Sequence, residues 1–216
     1  HGVTTVIIGN CSLSAALGKD KEIVDLFARV ENIPAKVLSE WIIGNIKWKN
    51  VREYYEHLDT LPVGPNIASF LGHSNVRMDV MGLDRSFMQK NATEEELKKM
   101  EKIVEEAMDA GYLGLSIDML PFHRWAGVYS EKYLGFSVPS QRAAKSEYFR
   151  LSNVLRRRNR VLQITPNAVD KSSFLTITRL SQGGFFKKSL KTTIVAALDL
   201  KSNEKIYNLL KLLGFI

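Results

Sequence analysis

The stretch TEEELKKMEKIVEEAMDAGYLGLSIDM, residues 93–119, contains a helix that is followed at once by a strand. Thr93 and Glu96 have the spacing of a capping box, in which each side chain bonds the backbone N–H of the other residue. Apolar residues then recur at helical spacing as far as Gly111, a residue type that suits the left-handed end of a helix. The apolar run at 113–119 predicts a buried strand, so this stretch forms one helix-strand unit.

Four further short apolar runs occur along the chain, at 4–9, 66–72, 161–165 and 192–198. Nearly continuous apolar runs of this length are typical of strands that are buried on both faces of a parallel sheet. Helical stripes lie between them, around Tyr54, Tyr148 and Leu209, whereas 170–190 gives no clear pattern. Strands that alternate with helices predict an α/β fold of about five βα units in a single domain.

Two architectures fit this pattern, a doubly wound sheet and part of a (β/α)8 barrel. The strand-to-helix turns carry neither a G-x-G-x-x-G loop nor a P-loop, which weakens a nucleotide-binding interpretation. A barrel needs eight strands, so about three units would be missing from it. In both architectures, functional residues lie where the strands end and the following loops begin.

Composition and charge exclude several classes of protein. The 216 residues are 45% hydrophobic and 25% charged, which excludes a disordered chain and a disulfide scaffold. No apolar run reaches the roughly 18 residues of a membrane span, so no membrane partner is expected. The net charge of +7 leaves a basic nucleic-acid-binding module as a minor alternative. The densest basic run, Arg156 to Arg160, is expected to be a solvated helix end, because cations suit that end of the helix dipole.

The single cysteine and the two chain ends lead to further expectations. One cysteine forms no internal disulfide, which points to a reducing compartment and a cytoplasmic location. The sequence opens with His1 instead of a methionine, shows no signal peptide, and ends in the apolar run 212–216. We expect the chain to be an internal fragment of a longer protein.

Cys11 follows the first apolar run, at the end of a strand where functional residues collect. A thiolate there could bind zinc, which prefers sulfur and nitrogen ligands. It could also act as a nucleophile if a base lay nearby. The remaining alternative is a small buried hydrophobic residue, which is what most free cysteines are.

His73 and Arg77 follow the second run, in the segment that begins at Gly72. A histidine in this position could be a metal ligand, an acid or base, or a hydrogen-bonded structural residue. Arg77 could clamp a substrate carboxylate, or it could pair with Asp79. We take both residues as candidates for substrate binding.

Asp118 ends the third run and is followed by a long irregular stretch, 120–139, that contains His123. Long loops in compact domains are usually functional, and one on this face can cover a pocket. Asp118 could be a base, a ligand or one member of a charge pair. Asp118 and His123 complete the candidate substrate-binding set.

Three ordered sequence blocks together resemble a known family. HGVTTVIIGNC, residues 1–11, resembles the segment around the metal-binding cysteine of the N-acyl-D-amino-acid deacylases (D-aminoacylases) of the amidohydrolase superfamily. The stretch from Gly72 to Gly82 and the Gly-Leu-Ser block at 114–116 are similar to the next two blocks of that family. The resemblance is firm to about Ser116 and looser beyond it.

The resemblance implies a zinc-dependent (β/α)8 barrel that hydrolyses the amide bond of N-acyl-D-amino acids through a metal-activated water. Residues 1–216 would form an incomplete barrel domain that lacks the first strand and the last units. By this match Cys11 is the zinc ligand from the second barrel strand. The partner of the site would be a small-molecule N-acyl amino acid. The H-x-H pair and the catalytic aspartate of the family fall outside the chain, so the isolated chain is expected to be inactive.

Two positions depart from the pattern of the family. A metal-binding histidine is expected near the end of the fourth strand, where this sequence has Thr165. A substrate-contacting tyrosine is expected after the Gly-Leu-Ser block, where it has the segment 121–123. These departures predict a divergent branch. They also motivate an alternative, a non-catalytic barrel relative that serves for binding.

Overall fold

The computed structural model describes residues 2–167, 169–170, 172–183 and 188–195. In chain order its elements are β1 (Thr5–Ile8), α1 (Asp20–Val30), α2 (Ala35–Ile42), α3 (Val51–Asp59), β2 (Asn66–Gly72), α4 (His73–Met88), α5 (Glu94–Ala110), β3 (Gly114–Asp118), α6 (Pro139–Arg142), α7 (Lys145–Arg157), β4 (Val161–Thr165), α8 (Ser172–Ser181) and β5 (Lys191–Ile194).

The five strands form one sheet in the order β1-β2-β3-β4-β5, and each neighbouring pair is parallel. A doubly wound sheet reverses its strand order at a switch point. This sheet instead adds each new strand on the same side, as a (β/α)8 barrel does. The structure is therefore a curled half-barrel, and the expected partial TIM-type barrel is confirmed.

The helices on the outside of the sheet agree with the sequence in part. The helix expected from Thr93 to Gly111 is α5, with both capping-box bonds formed and Gly111 in the left-handed region at φ 108°. The structure adds α1, α2, α4, α6 and α8, of which α8 occupies part of the segment that gave no clear pattern. The stripe around Leu209 and residues 196–198 of the fifth run lie outside the described residues.

The main core lies between the sheet and the helices. Leu115 and Ile117 of β3 and Leu162 and Ile164 of β4 belong to this core, and all four are fully buried. The alternate residues on the same strands are polar and face the inside of the curl. The sheet therefore has an apolar outer face and a polar inner face.

A second apolar cluster lies beneath the irregular segment 120–139. Trp125 and Tyr133 of that segment pack against Leu26 of α1 and Phe87 of α4. Asp25 of α1, which is almost fully buried, accepts hydrogen bonds from the backbone N–H of Tyr129 at 3.2 Å. The expected irregular stretch is thus folded onto α1 and α4. Its regular structure is limited to a short 3-10 turn at Glu131–Tyr133, one antiparallel bridge between Arg124 and Ser137, and the first residue of α6.

The arginine run at the end of α7 agrees in part with the expectation of a solvated helix end: the side chains of Arg157 and Arg158 are 58% and 41% exposed. Arg156 departs from it. Arg156 is buried at 9% exposure, because its guanidinium donates to the carbonyl oxygens of Leu180 and Lys188, each at 2.6 Å. Arg157 pairs with a glutamate of α5. The run therefore ties α7 to its neighbours. Among the described residues, no helix combines the length and the apolar character needed to cross a bilayer.

Candidate functional site

The polar inner face of the half-barrel is concentrated at the carboxyl ends of the strands. Ser116 and Asp118 of β3 and Gln163 and Thr165 of β4 have no solvent exposure. Parallel register places Ser116 beside Gln163 and Asp118 beside Thr165. Buried polar groups of this kind are costly unless they are hydrogen-bonded. Ser116, Gln163 and Thr165 bond to one another and to the loop that follows β1, whereas Asp118 bonds to the segment that follows β3.

Cys11 lies in that loop, opposite β4. Cys11 and Ser12 both have left-handed backbones, with φ of 54° and 59°. The Cys11 N–H donates to Gln163 Oε1 at 3.0 Å, and the Ser12 N–H donates to Ser116 Oγ at 2.7 Å. Side chains of β3 and β4 thus hold the backbone that carries the cysteine.

The thiol of Cys11 is half-buried and faces the end of β4. Thr165 Oγ1 donates a hydrogen bond to Cys11 Sγ at 3.3 Å. Burial raises the pKa of the Cys11 thiol, and the hydrogen bond from Thr165 only partly opposes this effect. A raised pKa disfavours the free thiolate that a nucleophile needs, whereas a bound metal ion deprotonates a coordinating thiol outright. The nucleophile alternative therefore loses support, and the metal-ligand alternative does not.

Asp118 and His123 are brought together. His123 Nδ1 lies 2.6 Å from Asp118 Oδ2, and the Leu120 N–H donates to the other carboxylate oxygen at 2.7 Å. Burial raises the pKa of Asp118 against the opposing effect of His123. Burial would lower the pKa of His123, but the adjacent Asp118 outweighs it, so the pKa of His123 is raised. The pair favours a positively charged imidazole at the mouth of the half-barrel.

His73 and Arg77 occupy the first turns of α4 and are fully buried. Both contact Glu147 of α7: His73 Nε2 lies 2.8 Å from Oε1, and an Arg77 amino group donates to Oε2. Arg77 also donates to the backbone carbonyl of Gln89, and it pairs with Glu147 in place of Asp79. A direct contact between substrate and either residue would require this network to open.

Ser140 of α6 joins the buried network of His73, Arg77 and Glu147 to the pair of Asp118 and His123. Ser140 Oγ lies 3.0 Å from His73 Nδ1 and accepts the Asp118 N–H at 3.0 Å. The Ser140 N–H in turn donates to Ser74 Oγ at 3.1 Å. All four predicted substrate-binding residues are therefore linked through α6, although only His123 reaches the surface.

Metal ligands are scarce in the part of the chain that the structure describes. Within it, no three side chains of His, Cys, Asp or Glu are grouped so that they could hold an ion. Cys11 suits a single zinc ligand, since it is a sulfur donor at a strand end. Thr165 stands where the resemblance leads us to expect a histidine, and its hydroxyl bonds the thiol.

Sequence reasoning missed Glu147, Ser140, Gln163 and Ser116. The last two were detectable, because Leu-Ser-Ile-Asp in β3 and Leu-Gln-Ile-Thr in β4 alternate apolar and polar residues, which indicates one polar face. Glu147 and Ser140 gave no such signal. Their importance arises from contacts with residues more than 60 positions away in the sequence.

Comparison with known proteins supports the architecture. No model of a known protein family matches the sequence. An uncharacterized protein of Mycobacterium tuberculosis is 38% identical over 204 residues, and so is one of Mycobacterium bovis. A D-aminoacylase of Alcaligenes xylosoxydans is 34% identical over 116 residues. The chain spans 33% of the mycobacterial proteins and 21% of the D-aminoacylase, so it corresponds to a part of each.

Solved structures show where this fold occurs. A D-aminoacylase with a binuclear metal centre superposes with a TM-score of 0.68 and 19% identity, covering 99% of this chain and 40% of that one. The N-acyl-D-glutamate deacylase of Bordetella bronchiseptica, complexed with zinc and a phosphonate inhibitor, has a TM-score of 0.64 and 18% identity over 99% of this chain and 39% of that one. The chain therefore has the fold of part of a D-aminoacylase barrel.

Proposed function

We propose that this chain is part of a zinc-dependent amidohydrolase of the D-aminoacylase family, which hydrolyses the amide bond of N-acyl-D-amino acids. One observation carries the proposal: the only cysteine stands at the carboxyl end of β1, at the polar inner face of a half-barrel with the fold of D-aminoacylase. Residues 1–216 would be one incomplete barrel domain, and the location would be cytoplasmic.

The metal site of this proposal is shared with other parts of the protein. Zinc catalysis needs about three protein ligands and an open position. The described residues offer Cys11 as one ligand, and the others would come from outside them. A bound zinc ion supplies an activated water for attack on the amide carbonyl.

Substrate binding would use the mouth of the half-barrel. The His123 side chain is 17% exposed, and Asp118 lies behind it without exposure. A positively charged imidazole there would attract the carboxylate of an N-acyl amino acid. For His73 and Arg77, direct substrate contact stays a prediction, and their burial favours a role in holding Glu147, Ser140 and the end of β3.

The test uses the complete gene product. Zinc content and hydrolysis of N-acetyl-D- and N-acetyl-L-amino acids are measured for the wild-type protein and for Cys11→Ser. The control is Glu40→Ala, at an exposed position of α2. We expect about one or two zinc ions per chain, hydrolysis of D substrates, and loss of zinc and activity only in Cys11→Ser. A folded, metal-free and inactive wild-type protein would overturn the proposal.

A non-catalytic barrel relative is the second candidate. The contact between Thr165 Oγ1 and Cys11 Sγ favours it, since a hydroxyl group stands where the family resemblance leads us to expect a histidine. Such a protein would fold without zinc and bind a small molecule without hydrolysing it. The same measurement separates the two candidates.

A further inference from the structure

We propose that Gln163 of β4 is a positioning residue that sets the conformation of the Cys11 turn. Its side chain is fully buried on the inner face of the half-barrel, while its neighbours Leu162 and Ile164 join the core under the helices. The expected effect of Gln163 on kcat rests on the proposed function. The contact with the turn is a separate property that can be measured alone.

The turn needs support, because Cys11 and Ser12 both have positive φ and neither is glycine. A left-handed backbone is unfavourable for any residue that carries a Cβ, so two such residues in succession persist only where contacts hold them. Their N–H groups point at β3 and β4. Gln163 Oε1 accepts from Cys11, and Ser116 Oγ accepts from Ser12.

The oxygen of the Gln163 amide acts on the backbone of Cys11, and its nitrogen acts on the sulfur of Cys11. Its oxygen accepts the Cys11 N–H at 3.0 Å and also the hydroxyl of Ser116. Its nitrogen donates to Thr165 Oγ1 at 3.3 Å, and that hydroxyl donates to Cys11 Sγ at 3.3 Å. One side chain therefore fixes the backbone of the cysteine directly and its sulfur through Thr165.

Hydrogen-bond chemistry determines the orientation of this amide. Two donors, the Cys11 N–H and the Ser116 hydroxyl, converge on Oε1. A flipped amide would place its own NH2 donors against the Cys11 N–H, which cannot accept. An apolar side chain of the same length would leave that N–H buried and unpaired, and such a group is costly.

The test measures the reactivity of Cys11 in the full-length protein after dialysis against a chelator, so that metal does not shield the thiol. Iodoacetamide modification of the Cys11 peptide is followed by mass spectrometry in wild type, Gln163→Met and Gln163→Glu. A matched control is Gln141→Met, whose amide donates to the carbonyls of Leu120 and His123. Far-ultraviolet circular dichroism establishes that each variant is folded.

We expect Gln163→Met to be alkylated about tenfold faster than wild type, the change that about 1.4 kcal/mol represents. Gln163→Glu retains the acceptor for the Cys11 N–H but lacks the nitrogen that donates to Thr165 Oγ1, so its rate should lie between those of wild type and Gln163→Met. Gln141→Met should match wild type. Folded Gln163→Met that reacts at the wild-type rate would overturn the inference.

A second variant and a second readout separate the failure of this inference from that of the proposed function. If Gln163→Met fails to fold, Gln163→Asn replaces it. Asparagine keeps the amide but is one methylene shorter, which draws its oxygen away from the Cys11 N–H, so this variant should also speed alkylation. A wild-type rate in folded Gln163→Asn would then overturn the inference. If wild type hydrolyses N-acyl-D-amino acids, Gln163→Met should lower kcat with little change in KM. If wild type is inactive, the proposed function fails and the alkylation rates still decide the role of Gln163.

Discussion

His123 Nδ1 lies 2.6 Å from Asp118 Oδ2 at the point where β3 passes into the long irregular segment. The carboxylate has no exposure, whereas the imidazole reaches the surface. The strand end thus presents one buried negative charge beneath one accessible basic group. This arrangement makes the charge of His123 depend on Asp118.

Replacing Asp118 with Asn should lower the pKa of His123. Asp118 is the reason that the pKa of His123 is above its ordinary value of 6.5, and burial alone would lower it. The asparagine keeps the size of the side chain but removes its charge. NMR titration of the imidazole measures the pKa of His123. We expect this pKa to move from above 6.5 in wild type to below 6.5 in Asp118→Asn. An unchanged titration would show that Asp118 does not control the charge of His123.

The same pair should make stability fall as the pH rises through the neutral range. His123 has a raised pKa in the folded state, so its contribution is complete below pH 6.5 and is lost as the pH rises through the folded pKa. Urea midpoints between about pH 5 and about pH 8 measure this effect. Asp118→Asn should flatten the slope, and a slope as steep as that of wild type would contradict the assignment.

Glu147→Gln should destabilise the protein strongly. It removes the only carboxylate that contacts both His73 and Arg77 among the described residues, and leaves the Arg77 cation buried without its charge partner. Breaking a buried pair in this way costs about 3–5 kcal/mol. Urea denaturation measures the loss. Glu94→Gln, which breaks an exposed pair with Arg150, should cost less than about 1 kcal/mol.

Acid should reduce the stability that the contacts of Glu147 with His73 and Arg77 contribute. Burial would raise the pKa of Glu147, but His73 and Arg77 outweigh it, so the pKa lies below its ordinary value of 4.5. The contribution of Glu147 is therefore present above pH 4.5 and lost as the pH falls through the folded pKa. Urea midpoints of wild type and Glu147→Gln should converge below that value. A constant difference at all acidic pH values would exclude this titration.

The sequence predicted the strands better than the site, for a physical reason. Strand positions follow from local apolar runs, so β2 and β4 begin and end at the expected residues. The polar inner face was overlooked because Ser116 and Gln163 lie within runs that are mostly apolar. Glu147 was undetectable, since a glutamate on a helix is ordinarily a surface residue. Its burial depends on side-chain contacts with His73 and Arg77 of α4, which lie about 70 positions earlier in the sequence.

Asp25→Asn should loosen the irregular segment where it folds over α1. Asp25 accepts bonds from Tyr129 N–H and from Ser130 Oγ, the latter at 2.6 Å. An amide accepts through one oxygen in place of two and has no charge, so these bonds weaken. We expect limited proteolysis to cut near Tyr129 faster than in wild type. The control is Asp20→Asn, at the start of the same helix. Its carboxylate accepts the Gly44 N–H and makes no such bond to the irregular segment, so this variant should leave the cleavage rate near Tyr129 unchanged.

Gly114→Ala tests the close approach of β3 and β4 beneath the site. A Cβ at Gly114 would lie 1.6 Å from the carbonyl oxygen of Val161, which is backbone and cannot move without breaking the ladder between the strands. Overpacking of a core typically costs about 1–3 kcal/mol, occasionally more, and a backbone clash belongs at the upper end. Because Ser116 and Gln163 pair in the same ladder, the Cys11 turn should loosen together with it.

Gly64→Ala is the matched control for this change. A Cβ at Gly64 meets nothing within 4 Å, and its φ lies outside the left-handed region. Removing glycine there reduces the entropy of the unfolded chain, so stability should stay the same or rise by about 0.4–1 kcal/mol. Urea midpoints and the alkylation rate of Cys11 are measured for both variants. If Gly114→Ala lowers the midpoint and speeds alkylation while Gly64→Ala does neither, the spacing of β3 and β4 fixes the position of the cysteine. If Gly114→Ala behaves as Gly64→Ala does, the two strands do not approach as closely as the structure places them.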